Sequence, residues 1–250
     1  AWDADQRRGV VVRDPFGVRP LYVAQVAGAV LFASELKSIL ASGLVAVDLD
    51  YAAIEIFLDL GYVPAPFTPL LGVRKIRAGH LALVDRARLG PQSPVWEFPV
   101  PAARRESAAR VEDRVFDALD DAVARYAAVT ERPGVMLSAG LDSALLLALL
   151  RRHTRAPVTG LTVGFADTPT ANELSGSARV ATALGARHRT VTLSLERDAI
   201  SVSDLVWLVD EPSADLSALG YGVLARAAAG EVDVAFSGLM ADSVFAADTA

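Results

Sequence analysis

The stretch Val135-Met136-Leu137-Ser138-Ala139-Gly140-Leu141-Asp142-Ser143 decides the fold class. Its first three residues are apolar and read as the end of a buried strand. The next three are small and read as a tight loop, and a helix begins near Asp142. Small side chains let backbone N–H groups come close to an anion, and the helix N-terminus adds positive partial charge. Ser138 and Ser143 add two hydroxyls. A carboxylate beside a phosphate repels it unless it holds a Mg²⁺ that bridges to the phosphate, so Asp142 is a candidate metal ligand. The plainer reading is that Asp142 or Ser143 only caps the helix.

Around this stretch, strand-like and helix-like segments alternate. Glu106 to Val129 predicts a long amphipathic helix with Val111, Val115, Leu119, Val123 and Tyr126 on one face. Strand 134–137 leads to helix 142–153, strand 157–163 to helix 172–184, and strand 188–193 to helices around 205 and 218–229. A last strand spans 232–236. Such alternation means a parallel sheet covered on both faces, with ligands at the carboxyl ends of its strands. Loops 138–143, 164–169 and 237–243 are therefore expected to meet, with the strand at 134 central.

The first hundred residues follow a different pattern. Short β-rich runs at 9–13, 20–24 and 29–33 are separated by tight turns. Ser34 is placed to cap a short helix through Leu40. Asp50 is placed to cap another, with Ile54, Phe57 and Leu58 at helical spacing. Pro64, Pro66 and Pro69 enforce an extended segment. His80 to Val84 reads as a strand, and Gly90 to Pro101, with four prolines, reads as a linker.

Composition narrows the function. With no cysteine, the 250 residues hold no disulfide, no thiolate catalyst and no Cys-ligated metal centre. A net charge of −6 argues against non-specific binding to nucleic acid. No apolar run approaches the roughly 20 residues that cross a bilayer, and the N-terminus is not built like a signal peptide. His80, His153 and His188 lie far apart and read as surface or capping residues. There is no Walker-type G-x-x-x-x-G-K motif. Gly220-Tyr221-Gly222 does not follow a strand and reads as helix-packing glycine rather than a dinucleotide fingerprint.

Ser138-Ala139-Gly140-Leu141-Asp142-Ser143 resembles the S-G-G-x-D-S pyrophosphate loop of the N-type ATP pyrophosphatases. Asp210-Glu211-Pro212-Ser213-Ala214-Asp215 and Ser237-Gly238-Leu239-Met240-Ala241-Asp242-Ser243-Val244-Phe245 resemble the D-E-P-x-A-D and S-G-D-G-A-D-E-L-F segments of glutamine-dependent asparagine synthetases. In the first hundred residues, 13–22, 32–37, 61–64 and 75–80 are similar to the second half of that family's N-terminal-nucleophile glutaminase domain. The resemblance covers nearly the whole chain, in the family's order.

This resemblance implies an α/β fold: a parallel-sheet, adenine-nucleotide α-hydrolase-like synthetase domain preceded by an incomplete β-rich glutaminase portion. The expected boundary falls at 100, with residues 1–100 the C-terminal part of a glutamine amidotransferase-like domain and 101–250 the N-terminal part of the synthetase domain. The implied activity is an amide-forming ligase. ATP and Mg²⁺ adenylate the aspartate side-chain carboxylate, pyrophosphate leaves, and ammonia from glutamine attacks to give asparagine. Ser138, Gly140, Asp142 and Ser143 would then hold pyrophosphate, and Leu137, Val163, Ser237 and Gly238 the nucleotide. Asp142 and Asp242 would hold the metal, and Asp14 the glutamine α-amino group. The implied partners are small molecules: ATP, an amino-acid carboxylate, and glutamine or ammonia. Neither nucleic acid nor membrane is expected, the implied location is cytoplasmic, and a homodimer is left open.

The chain also departs from the family. The glutaminase nucleophile, a cysteine in the family, is absent, so no catalytic residue is assigned. The sequence begins at Ala1-Trp2-Asp3 rather than Met and ends soon after Phe245, so a piece of a longer product is expected. Ala139 replaces a loop glycine, Leu239 and Met240 replace an acid and a glycine, and Ser243 replaces a glutamate. Three readings stay open: part of an asparagine-synthetase-type ligase, a divergent β-lactam synthetase-like or peptide-cyclising ligase, and a non-catalytic nucleotide-binding or interaction module.

Overall fold

The computed structural model describes residues 1–99, 106–166, 173–194, 202–215 and 217–245. The first elements are β1 (Trp2–Asp3), β2 (Arg8–Val12), β3 (Tyr22–Val26), β4 (Ala29–Ala33), α1 (Leu36–Ala41), α2 (Tyr51–Leu60), β5 (Val73–Lys75), β6 (His80–Asp85) and β7 (Arg88–Pro94). There follow α3 (Ala108–Ala127), β8 (Pro133–Met136), α4 (Leu141–His153), β9 (Thr159–Phe165), α5 (Leu174–Ala183) and β10 (Arg187–Leu193). The last are α6 (Val202–Val209), α7 (Ser217–Ala228), β11 (Val234–Phe236) and α8 (Ala241–Phe245). Two compact units result, Ala1–Ala102 with Ser201–Leu216, and Ala103–Ile200 with Ser217–Ala250.

In the first unit, β3 is buried on both faces, which its period of two makes possible. Tyr22 and Ala24 pack with Leu36, Ile39, Leu70 and Val73, while Val23 packs with Val11, Ile76 and Ala82. The three-stranded sheet β4-β3-β5 thus has α1 on one face and the sheet β1-β2-β6-β7 on the other. Both sheets are antiparallel. Asp50 caps α2 by accepting from Ala53 N at 3.2 Å.

Three expectations for this region change. Residues 90–94 of the presumed linker belong to β7, an edge strand in which Gly90 and Pro91 fall at a register shift opposite Leu83. Proline is tolerated there because an edge or a bulge needs no ladder donor. Val95 N and Trp96 N then donate to Gly79 O, and residues 100 and 101, the end of that stretch, lie outside the described residues. Leu58 is exposed rather than buried on α2. Ser34 does not cap α1. The N-cap is Glu35 without a side-chain bond, and the first-turn N–H groups of Leu36 and Lys37 donate to the Asp210 carboxylate instead.

Asp210 belongs to the segment after α6, which packs into this first unit. Ser213 bridges to Tyr62, and Ala214 N donates to Gly61 O. Lys75, also buried, donates to Glu211 Oε2 at 2.5 Å and to Val63 O at 2.6 Å. Burial pushes the Glu211 carboxyl up, and Lys75 offsets this only in part. Burial and the charges of Glu211 and Asp210 push the Tyr22 phenol up as well.

The second unit is a four-stranded, fully parallel sheet in the order β10-β9-β8-β11. Strand β8 lies inside it, as expected, because Val135 has no exposure. One face is covered by α3, α4 and α5 through Val123, Ala127, Leu147, Leu150 and Ala181. Leu224 and Ala228 of α7 cover the other, against Leu161. On α3 the middle of the anticipated stripe is covered and its two ends are not. Val115 and Leu119 are half-buried and Val123 is buried, whereas Val111 and Tyr126 are exposed. Gly220 packs near Val163, at 3.5 Å from a constructed Cβ, as a helix-packing glycine. The three histidines have local partners: Ala78 O for His80, Asp120 for His153 and Thr162 for His188.

Asp233 ties the start of β11 to the start of β8. Its carboxylate accepts from the Thr130 hydroxyl and from Glu131 N and Arg132 N. The Thr130 bond and these backbone donors hold its pKa down at about 2. A depressed acid pKa stabilises the fold above the ordinary carboxylate range, and that contribution disappears as pH falls through the depressed value. Asp233→Ala should therefore lower the thermal midpoint at neutral pH. The gap to wild type should close as pH approaches about 2, which thermal unfolding followed by circular dichroism across pH will check.

Candidate functional site

The strand order places the site. Successive strands β8, β9 and β10 run outward in one direction, and β11 adds on the other side of β8. The chain thus reverses direction between β8 and β11. A crevice opens outside the carboxyl ends of the strands at such a switch point. The loops that leave these two ends are 137–140 and 237–240.

The second loop meets the helix that follows the first. A Cβ at Gly238 would stand 2.9 Å from Asp142 Cβ and 3.6 Å from Ser143 N, so the backbone passes directly over the first turn of α4. Only glycine allows that approach. Loop 164–169 cannot be followed as a whole: Gly164 and Phe165 end β9, and 167–172 lie outside the described residues.

The first loop is closed by its own serines. Ser143 Oγ is buried, accepts from Ser138 N at 3.1 Å and lies 2.9 Å from Ser138 Oγ. Ser138 Oγ in turn accepts from Gly140 N at 3.0 Å. Among the described residues nothing accepts from the N–H groups of Leu141, Asp142 or Ser143. These are the orphan first-turn donors of α4, backed by the helix dipole. Ala139 N–H, by contrast, donates to Glu173 Oε2 at 3.0 Å.

The remaining candidates differ in exposure. The Leu137 side chain is buried over Gly160, and its carbonyl accepts from Thr162 Oγ1 at 2.7 Å. Val163 is half-buried against the core that α7 covers. Ser237 Oγ accepts from Leu239 N at 3.1 Å. Asp142 is half-buried and Asp242, in the first turn of α8, is exposed. Neither carboxylate has a partner among the described residues. Among these residues there is also no cluster of three or more metal-type side chains. Two carboxylates suit Mg²⁺, which keeps several waters and takes its other ligands from phosphates.

Asp14 lies in the first unit. Its carboxylate accepts from Val18 N at 2.9 Å, Arg19 N at 3.1 Å and Phe16 N at 3.2 Å. Partial burial works to raise its pKa, but the donors of Arg19, Val18 and Phe16 outweigh it and hold the carboxyl below its ordinary value. Asp14 therefore organises its own turn, whatever else it binds.

Two family matches span most of the chain. Residues 1–96 match the glutamine amidotransferase domain, and residues 114–248 match asparagine synthase. The chain belongs to the asparagine synthase family. It is 34% identical over 251 residues to a putative glutamine-hydrolysing asparagine synthetase of Mycobacterium tuberculosis. It is 27% identical over 248 residues to glutamine-hydrolysing asparagine synthetase 1 of Bacillus subtilis. Each alignment covers 98% of this chain but only 38% of the relative, so the chain spans well under half the length of these relatives. The NH3-dependent NAD synthetase of Campylobacter jejuni is 18% identical over 49% of this chain and 54% of its own, with a TM-score of 0.33, a likeness too slight to argue from.

The positions where this asparagine synthase relative departs from the family pattern now have physical content. Ala139 has no positive φ, and its methyl faces Gly176 of α5, where a Cβ would come within 2.6 Å. One missing methyl makes room for the other, so the change is accommodated. Met240 is not: its φ is +74°, a region that favours glycine.

Two substitutions separate these cases. Met240 is exposed, so Met240→Gly loses little packing and should stabilise the protein by roughly 1 kcal/mol. Gly238→Ala should destabilise it by about 1–3 kcal/mol through the clash with Asp142. Equilibrium denaturation in urea reads both signs.

Proposed function

We propose that this chain carries the nucleotide half of an amide-forming ligase of the asparagine synthetase type. Its substrates are ATP and an amino-acid carboxylate, taken as the aspartate side chain, and its reaction is adenylation with release of pyrophosphate. Ammonia then displaces AMP to give asparagine. The observation that carries this reading is the close approach of Gly238 to Asp142 and Ser143 where β8 and β11 end side by side. Among the described residues, the N–H groups of Leu141, Asp142 and Ser143 there have no acceptor.

In this reading the first-turn N–H groups of α4 bind the departing pyrophosphate, where negative charge accumulates. Ser138, Gly140 and Ser143 shape that loop more than their side chains bind. Leu137, Val163, Ser237 and Gly238 present backbone to the nucleotide. Asp142 and Asp242 are the residues that would hold Mg²⁺, whose charge offsets that of the phosphates. Asp14 is the proposed contact for the α-amino group of glutamine. The domain division follows the same reading, with residues 1–100 amidotransferase-like and 101–250 synthetase-like, and residues 201–216 packed into the first unit. A cytoplasmic setting draws support from ATP as substrate, and no described helix is long and apolar enough to cross a membrane.

A second reading, a divergent ligase for another carboxylate, rests on Leu239, Met240 and Ser243, which stand where the family pattern has an acid, a glycine and a glutamate.

Asp142→Asn tests the proposed metal role, because Asn caps a helix about as well as Asp. By isothermal titration, ATP affinity in Mg²⁺ should fall roughly tenfold or more, about 1.4 kcal/mol. Affinity without Mg²⁺ should hold or improve as repulsion is relieved. Equal loss in both conditions leaves Asp142 only a structural role.

A further inference from the structure

One donor of the candidate phosphate loop is already occupied by an anion. Glu173 Oε2 accepts from Ala139 N at 3.0 Å, across 34 residues of sequence. Glu173 is the N-cap residue of α5, yet its side chain makes no capping bond to its own helix. Its carboxylate reaches to the neighbouring loop instead. The contact is reinforced one turn on, where Gly176 gives the Ala139 methyl its space. Glu173 and Gly176 therefore hold the same residue, one by its N–H and the other by its methyl.

This arrangement needs an explanation if the loop receives phosphate. A negative side chain beside an anion site is unfavourable unless it has a task there, and the Ala139 N–H cannot serve two anionic acceptors at full strength. Glu173 is exposed, so it can leave by rotating its side chain while the backbone stays in place. The Ala139–Gly176 packing keeps the loop in position when it does.

We propose that Glu173 is an internal competitor for phosphate: its carboxylate holds the Ala139 N–H until a phosphate oxygen of a polyphosphate ligand displaces it. This rests on the nucleotide reading of the loop. Glu173 then acts as a specificity-determining residue. A small anion with one or two contacts gains too little to displace the carboxylate. A polyphosphate that also engages the first turn of α4 gains enough, and Mg²⁺ screens the repulsion that remains.

The test titrates inorganic pyrophosphate, without Mg²⁺, into the wild-type chain, Glu173→Gln and Glu173→Asp. Gln is a weaker, uncharged acceptor, and Asp keeps the charge but is too short to reach Ala139 N. Both variants should bind pyrophosphate about tenfold more tightly, the scale of one charge-assisted hydrogen bond no longer competing. The Ala139 amide resonance of the free protein should shift in both, and thermal unfolding should stay near wild type because the side chain is exposed. Unchanged or weaker binding in both variants overturns the proposal. So does tighter binding in Glu173→Gln alone, which would mean that charge at a distance and not the hydrogen bond is responsible. Wild-type binding of Mg²⁺–ATP that depends on Asp142 but ignores both Glu173 changes defeats this proposal and leaves the nucleotide reading standing. Absence of ATP and pyrophosphate binding in every variant defeats both.

Discussion

Parallel pairing of β8 with β9 on one side and β11 on the other is the constraint on which the candidate site depends. Val135 pairs with Gly160 and with Phe236 at the same level of the sheet. The carboxyl ends of β8 and β11 therefore finish together. The crevice is a consequence of strand order and needs no special residue to open it. Specific residues are needed to bring backbone into it, and Gly238 over Asp142 is the clearest case.

The chemistry of the crevice is mostly main chain. The side chains of Ser138 and Ser143 are spent on one another and on loop N–H groups. What remains for a ligand is the first turn of α4, two carboxylates without partners among the described residues, and a donor at Ala139 held by Glu173. A site of this kind holds anions through geometry and dipole, and it requires a rigid loop. The buried Ser143 hydroxyl and the Ala139–Gly176 contact supply that rigidity.

The parallel sheet was legible in the sequence because strand-like segments alternate with recognisable helices, and because Val135 to Ser143 shows strand, loop and helix start in nine residues. The β6–β7 hairpin was not. Its turn is Arg86-Ala87, both with positive φ, and neither residue announces such a turn as glycine or asparagine does. Prolines in β7 pointed to a linker, although an edge strand with a register shift admits them. The cap of α1 is illegible for another reason. Asp210 supplies it from 174 residues away, and no local pattern encodes so distant a partner. The bond from Ala139 to Glu173 is likewise encoded by no local pattern. The site's main residues lie within one strand–loop–helix unit and could be found by eye, while its long-range contacts required the fold.

The most direct measurement is a crystal structure of the protein with ATP and Mg²⁺. The account predicts phosphates against the N–H groups of Leu141, Asp142 and Ser143, beneath Gly238, with the Asp142 carboxylate on the metal and Glu173 released from Ala139. A nucleotide bound elsewhere, or phosphates that make no contact with the first turn of α4, would contradict it.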